Sequence, residues 1–566
     1  MTDPALTDLT QILTIRITNF EPARLRLIHR SQGRVASMSE PELKPSTKFD
    51  WLLIGLLVLL VLPLRLWLLH NTEVAARDSI SYVQYALEFE KANWKEVLSN
   101  HQQHPGYPVA VWLMSVPVRA IDGPATPANM ALCTQLVSLV ASLLLMLPMY
   151  WLGRQFFDRK VSFGATLLYQ FLPISAQHLS DGIAEPLYLL LILSGLLQAV
   201  HAVQDRGLGR SILCGFFAGL AYLTRPEGVF ILAAFASVFI TLQFRAAWRC
   251  SWQRFLACGT AMMLAAMLTG SVYVIATGRI TNKPSFNNLW LRKSAEVGPA
   301  QWQEPSRLAG GSHVLFAMIF PRTDSKVLRL QRSVWALMSE LNQGFHYVAG
   351  IPALLGLWWS FNRLRLNPGF WVVAAYSLLH SFTLIALAMS ASYVSDRHVM
   401  ILVMFGCYFV VFGLCELPRR ILVWRKIEAD NFAWPTCWRF APAWSAVLMV
   451  GLIAFSLPKA TQRLHGNRAG NHAAGLWLAK QIQKGDDVFD DYDWSSYFSG
   501  LFLQTRQESQ HVPTCYIVTT PGRGPQTDNN RRTVVLRPEA KVVYTWPEES
   551  VVEKARLVVY AQPREP

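Results

Sequence analysis

The alternation of apolar and polar positions divides the chain into long apolar runs joined by short polar links. Eleven runs stand out, at roughly 50 to 70, 130 to 151, 161 to 179, 185 to 203, 211 to 224, 228 to 244, 255 to 277, 345 to 361, 369 to 390, 398 to 416 and 441 to 458. Most approach the ~20 residues that a helix rising ~1.5 Å per residue needs to cross ~30 Å of hydrocarbon. The expected fold class is α, a polytopic bundle of about eleven transmembrane helices. Two of the runs lie in one apolar stretch of about 34 residues, which as a single helix would reach ~50 Å. It is expected to break at TRPEG, Thr224 to Gly228, into a hairpin with Arg225 and Glu227 at its apex. The segment 106 to 120 is apolar but short and broken by prolines, and reads as an interfacial helix.

Beyond 458 the pattern turns polar, with a helix-like stretch at Ala473 to Lys484 and a short strand at Val488 to Asp491. Strand-like runs follow at Cys515 to Thr520, Thr533 to Leu536, Lys541 to Tyr544 and Arg556 to Tyr560, with 522 to 530 as a loop. A small α/β domain is expected over 459–566. The remaining organisation reads as a basic tail over 1–49 and a transmembrane domain over 50–458. The tail includes a short amphipathic helix around Leu9 to Leu27. Two long loops interrupt the transmembrane part, 71–129 and 278–344; the second carries Lys283, Asn287, Asn288, Trp290, Arg292 and Lys293, a mixture suited to a polar or anionic headgroup.

Composition agrees with the pattern, since 52% hydrophobic and 16% charged residues over 566 positions exclude an ordinary soluble protein. The net charge of +15 would suggest nucleic acid in a soluble chain, but here the Lys and Arg residues cluster in alternate links, so no nucleic-acid partner is expected. Basic residues crowd the N-terminal tail and the links near Arg154, Arg206, Arg245, Arg363 and Arg419, whereas the short links between them hold only Arg225 and Arg397. This predicts a multi-pass protein of the inner (plasma) membrane with a cytoplasmic N-terminus and an extracytoplasmic C-terminus. The first run acts as a signal anchor, with no cleavable signal peptide. Of the 8 cysteines only Cys515 falls outside by this topology, which leaves no disulfide framework.

The same topology gathers Asp78, His104, Asp181, Glu185, Arg225, Glu227, Asp396, Arg397 and His398 on one face, although they come from distant links. Asp78 stands beside Arg77 and just before Tyr82 and Tyr85, in an acidic loop at the mouth of the bundle where a general base is useful. Asp181 and Glu185 read either as capping groups at a helix start or as a second acidic cluster. Arg225 reads either as a staple to Glu227 or as a ligand for an anion. Arg397 reads as a salt bridge to Asp396, as a headgroup contact, or as a second anion ligand.

The order RDSISY, then HPGYP, AEPLYLLLILSGL, GLAYLTRPEG and a late SDRH resembles the GT-C superfamily of membrane glycosyltransferases, family 39 type, relatives of bacterial protein O-mannosyltransferases and aminoarabinose transferases. The resemblance covers roughly residues 50 to 420 and departs from many relatives in having Asp78-Ser79 where an Asp-Glu pair often stands. It implies Asp78 as the base of an inverting transfer from a polyprenyl-phosphate sugar donor to a lipid, glycan or protein acceptor. Arg225 and Arg397 would then bind the donor phosphate, with His104, Tyr82, Asp181, Glu185 and Glu227 supporting the site or its acceptor side. No cofactor is required, although Asp78, His104, Asp181 and Glu185 are chemically suited to a divalent metal. A transporter or flippase of lipid-linked or polar substrates is the alternative, against which stand the absence of an apparent internal repeat and the gathering of charges at one face.

Overall fold

The computed structural model describes residues 47–283, 326–391, 394–428, 437–483, 485–490, 492–503, 513–521, 526–527, 533–548 and 550–563. The expected helix at Leu9 to Leu27, the residues Asn287, Asn288, Trp290, Arg292, Lys293 and Tyr393, and most of the 522–530 loop lie outside them. The chain divides into two compact units, residues 1–51 and 52–566. Of the first, the described residues open helix α1 (Lys48–His70), where the Asp50 carboxylate accepts from the Thr47 amide and hydroxyl at 3.0 Å each.

All eleven apolar runs fall on helices. After α1, three amphipathic or short helices fill the first long link: α2 (Arg77–Glu88), α3 (Trp94–Asn100) and α4 (Gly106–Asp122). Then come α5 (Pro127–Arg154), α6 (Arg159–Phe171), α7 (Pro173–His178), α8 (Glu185–Asp205), α9 (Leu208–Thr224), α10 (Phe230–Gln243) and α11 (Trp252–Thr277). The series closes with α12 (Lys326–Gly344), α13 (Gly350–Leu364), α14 (Pro368–Ala391), α15 (Asp396–Glu428) and α16 (Cys437–Ala460). Among the described residues eight helices are long and apolar enough to cross a membrane, with α10 counted from Pro226. The other three expected crossings are the 13-residue α6, the 17-residue α9 and the 15-residue α13.

Local chemistry sets the ends. Thr126 and Asn129 form a reciprocal capping box around Pro127 at the start of α5, and Asp158 caps α6 through the Val161 amide. The 161–179 run breaks because Pro173 forces Leu172 into an extended conformation (φ −60°, ψ 134°), which splits it into α6 and α7. The 34-residue stretch breaks at Arg225, also extended (φ −151°, ψ 140°), followed by a 3₁₀ turn over Pro226–Val229. Packing uses small residues where backbones meet: a Cβ on Gly215 of α9 would lie 2.0 Å from the Met262 carbonyl oxygen of α11.

Helix α12 lies in what the sequence presents as a loop. Its turn-spaced buried positions, Ser333, Leu337 and Glu340, face the bundle, while Val327, Trp335 and Met338 are exposed. The last span leads to a C-terminal sheet region. Helix α17 (Ala469–Gln481) and the short α18 (Trp494–Phe498) pack with a sheet ordered β1 (Asp487–Asp490), β2 (Thr514–Thr519), β6 (Leu557–Pro563), β5 (Lys541–Trp546). Strands β1 and β2 are parallel and the other pairs antiparallel; β3 (Gln526–Thr527) and β4 (Thr533–Val534) form a separate ribbon. The expected class, a polytopic helix bundle with a small C-terminal α/β part, is the observed one.

Candidate active site

Asp78 stands in the first turn of α2, whose Val83 and Ala86 are fully buried. From the opposite direction, α15 begins where Asp396 Oδ1 accepts from the Arg397 amide at 2.8 Å, which presents Arg397 in its first turn. Arg397 Nη1 donates to Asp78 Oδ2 at 2.6 Å, and its Nε lies 3.9 Å from Glu185 Oε1. The same Glu185 oxygen accepts from Arg225 Nη1 at 2.5 Å. Arg225 Nε is in turn 3.5 Å from Glu227 Oε2, and its guanidinium stands 5.5 Å over the Tyr188 ring. Asp78, Arg397, Glu185, Arg225 and Glu227 thus form one alternating chain of charge drawn from four separate links. The Arg397 guanidinium pairs with Asp78 rather than with its neighbour Asp396, which meets His178 at 3.3 Å.

Arg397, Glu185, Arg225 and Glu227 of this chain line a cavity of about 300 Å³, and Asp78 stands behind Arg397, outside the lining. Its polar wall carries Glu185, Arg225, Glu227, Lys283, Arg397, Gln102 and Gln103, and its apolar wall includes Leu189, Leu384, Leu387, Met400 and Ile401. The two walls suit a ligand with a charged head and an apolar tail. Lys283 makes no ion pair within 4.0 Å among the described residues. Burial, with the Arg225 cation nearby, pushes its pKa down. His380, from the middle of α14, also lines the cavity; its Nε2 meets the His398 carbonyl at 2.9 Å, and its Nδ1 has no hydrogen-bond partner among the described residues. Sequence reasoning passed over His380, although a lone histidine inside an apolar run is itself a signal, and named Lys283 without a role.

Of the other expected residues His398 also lines the cavity, whereas His104, Tyr82 and Asp181 fall outside its wall. His104 packs at 4.5 Å on the Tyr273 ring, and its Nε2 meets Thr281 Oγ1 at 3.0 Å. Burial, with Lys283 nearby, lowers its pKa to about 3, so the ring stays neutral and anchors the strand of chain that delivers Lys283. Tyr82 is buried edge-on to Tyr107, 4.8 Å between centroids, and burial together with the Asp78 carboxylate raises its phenol pKa. Asp181 accepts from the Ala76 and Gly182 amides at 2.8 Å each and meets His465 Nε2 at 2.7 Å. Burial works against its charge, but the His465 ring and the two amides outweigh burial and hold the carboxyl below its usual range. Among the described residues no three His, Cys, Asp or Glu side chains are arranged to hold a metal ion, so Asp78, His104, Asp181 and Glu185 are not gathered as a ligand set.

Glycines explain why the motifs lie together. A Cβ on Gly106 of HPGYP would lie 2.8 Å from the Leu223 carbonyl oxygen and 2.7 Å from Thr224 Oγ1, at the threshold of TRPEG. One on Gly182 would approach Ser79, the neighbour of Asp78, at 3.2 Å. At Gly106 only a residue without a side chain lets the two backbones approach, and at Gly182 it leaves room for the Thr134 and Ser79 side chains.

The family model described as dolichyl-phosphate-mannose-protein mannosyltransferase matches residues 103–276, from the loop before HPGYP to the end of α11. No curated protein sequence matches the chain significantly. Among solved structures, the archaeal oligosaccharyltransferase AglB from Archaeoglobus fulgidus, in complex with an inhibitory peptide and a dolichol-phosphate, aligns with a TM-score of 0.52 at 13% identity over 80% of this chain. The alignment spans 64% of that protein's length. ArnT from Cupriavidus metallidurans bound to undecaprenyl phosphate aligns with a TM-score of 0.51 at 13% identity, over 91% of this chain and 98% of its own. Its apo state gives a TM-score of 0.52 at 14% identity with the same coverage, 91% and 98%. The chain is therefore a multi-pass membrane protein that shares the polytopic helical fold of ArnT and AglB.

Proposed function

We propose that the protein transfers a sugar from a polyprenyl-phosphate donor to a lipid, glycan or protein acceptor on the extracytoplasmic face of the inner membrane, with inversion at the anomeric carbon. The observation that carries this reading is the polar cavity wall of Arg397, Glu185 and Arg225, with Asp78 tied to it through Arg397. Asp78 Oδ2 is taken by Arg397, and Oδ1 has no hydrogen-bond partner among the described residues, so it is open to an acceptor hydroxyl. The acceptor oxygen forms a bond to C1 of the sugar as its proton passes to Asp78. The C1–O bond to phosphate breaks, and the electron pair leaves with the polyprenyl phosphate. Arg225, Arg397 and Lys283 surround the position where that negative charge develops, and guanidinium groups contact phosphate through two N–H donors at once. The dolichol-phosphate and undecaprenyl phosphate bound to two structural neighbours support a lipid-linked donor.

On this reading the N-terminus is cytoplasmic, residues 50–458 form the transferase domain, and the C-terminal sheet region lies outside. Transfer of radiolabelled sugar from polyprenyl-phosphate donors in proteoliposomes tests the chemistry. Asp78→Asn should lower the rate by at least ~100-fold. Equal rates for wild type and variant would remove Asp78 from the reaction. If neither transfers but labelled lipid changes leaflet, the transporter reading holds instead.

A further inference from the structure

The helix that carries Asp78 begins without a cap of its own. Its N-cap residue is Ala76, among the poorest choices at that position, and no side chain of α2 closes the turn. The five residues before Asp78 are instead fastened from outside. The Glu73 amide donates to the Leu464 carbonyl at 3.1 Å, and its carboxylate meets His472 Nδ1 at 3.2 Å. Trp494 Nε1 donates to the Ala75 carbonyl at 2.9 Å, and Arg77 meets Asp493 at 3.2 Å. The Ala76 amide donates to Asp181, which is held in turn by His465. All these outer partners except Asp181 follow the last membrane span.

We propose that the C-terminal region is a positioning device for Asp78, acting through His465 and Asp181 on the uncapped start of α2. Its effect on rate rests on the transfer reading above; its effect on structure does not. Asp181 is buried and divides its carboxylate between two jobs, with Oδ1 on the amides and Oδ2 on His465. Removing the ring leaves Oδ2 without its partner, and the carboxylate can then rotate away from the Ala76 amide. A shift of about 1 Å in a reacting group can cost ~100-fold in rate without touching the substrate's binding groups. His465 and Asp181 are thus positioning residues, separate from the cations of the cavity.

The test uses the full chain in detergent and in proteoliposomes, comparing wild type, His465→Ala and His465→Gln. Hydrogen exchange over residues 72 to 82 reads the loop directly, and steady-state transfer reads the chemistry. His465→Ala should speed exchange there by ~10-fold or more and lower kcat by ~10-fold to ~100-fold, with the donor KM within ~2-fold. Gln presents an amide donor at similar reach, so His465→Gln should restore both readouts to within ~3-fold. Unchanged exchange in His465→Ala overturns the proposal, as does faster exchange spread equally over residues 101 to 105 and 225 to 229, which marks a general loss of fold. Should His465→Ala fail to fold, Trp494→Phe keeps an aromatic ring in the core but removes the donor to Ala75, and should produce a smaller change in the same direction; no change overturns the proposal. If wild type transfers no sugar while the exchange difference stands, the transfer reading fails and the positioning device remains.

Discussion

Lys283 differs from the two arginines that share its cavity. Arg225 and Arg397 are already bonded to carboxylates, so an arriving phosphate must compete with Glu185 and Asp78 for them. Lys283 has no such competitor among the described residues, and partial burial beside Arg225 disfavours its charged form while no anion is present. An anion that enters favours that form again. Lys283→Ala should therefore weaken binding of undecaprenyl phosphate by ~10-fold or more in a detergent titration, while Lys283→Arg stays within ~3-fold. An equal loss in both variants would show that shape, not charge, governs the position. Arg225 and Arg397 were legible in the sequence because each is the lone basic residue of its link. Lys283 was not, because it belongs to a link crowded with other basic residues, and only the contacts of His104 with Thr281 show which one is delivered to the cavity.

At the scale of elements, HPGYP and TRPEG act as a single joint. Gly106→Ala would force a methyl group against the Leu223 carbonyl and Thr224, one residue from Arg225. Overpacking of this kind costs about 1 to 3 kcal/mol, so the variant should melt several degrees lower and transfer sugar more slowly. A melting curve and a rate unchanged from wild type would mean that the contact is slack. The sheet region has its own signature. Asp490 ends β1 and accepts from the Ser495 amide at 2.6 Å and the Tyr492 amide at 3.2 Å, yet burial lifts its pKa from 3.8 to about 6. Its folded form therefore holds a proton between those values when its unfolded form does not. The stability from this group is full below about pH 3.8 and is lost as pH rises through about 6, a fall of order 3 kcal/mol. Melting of the wild type relative to Asp490→Asn should decline across that window, and a flat difference would refute the assignment. The pattern of the chain revealed the long helices and most of the strands, but it read the Asp78 segment, which is helix α2, as a loop and gave no sign of α3, α12, α18 or β3. In α12 the buried stripe mixes Ser333 and Glu340 with Leu337, so no apolar period marks it, and only the neighbouring helices give that stripe something to face.

At the scale of the molecule, alternation of basic links sets the proposed orientation, and it can be read chemically. In a variant freed of its 8 native cysteines, a cysteine at the exposed Glu96 should react with an impermeant maleimide in intact spheroplasts. One at the exposed Arg249 should react only after lysis. The reverse pattern would invert the topology and place the cavity on the cytoplasmic side. Apolar runs made the bundle legible, because burial in lipid requires long apolar stretches, and Pro226 breaks one where expected, whereas the break at Pro173 inside the 161–179 run went unread. What the chain did not disclose is how its far end reaches the Asp78 loop, since those contacts join residues about 400 positions apart.

The short helices α9 and α13 carry one more implication. Both expose apolar side chains, among them Phe216 on α9 and Trp358 on α13, yet at 17 and 15 residues they reach only ~26 Å and ~23 Å. That is less than the ~30 Å of an average hydrocarbon core. If both cross the membrane as the sequence leads one to expect, lipids beside them would have to compress, drawing the two headgroup layers together along this flank of the protein. A thinned annulus there would bring an amphiphile's polar end closer to the protein interior before it leaves its leaflet.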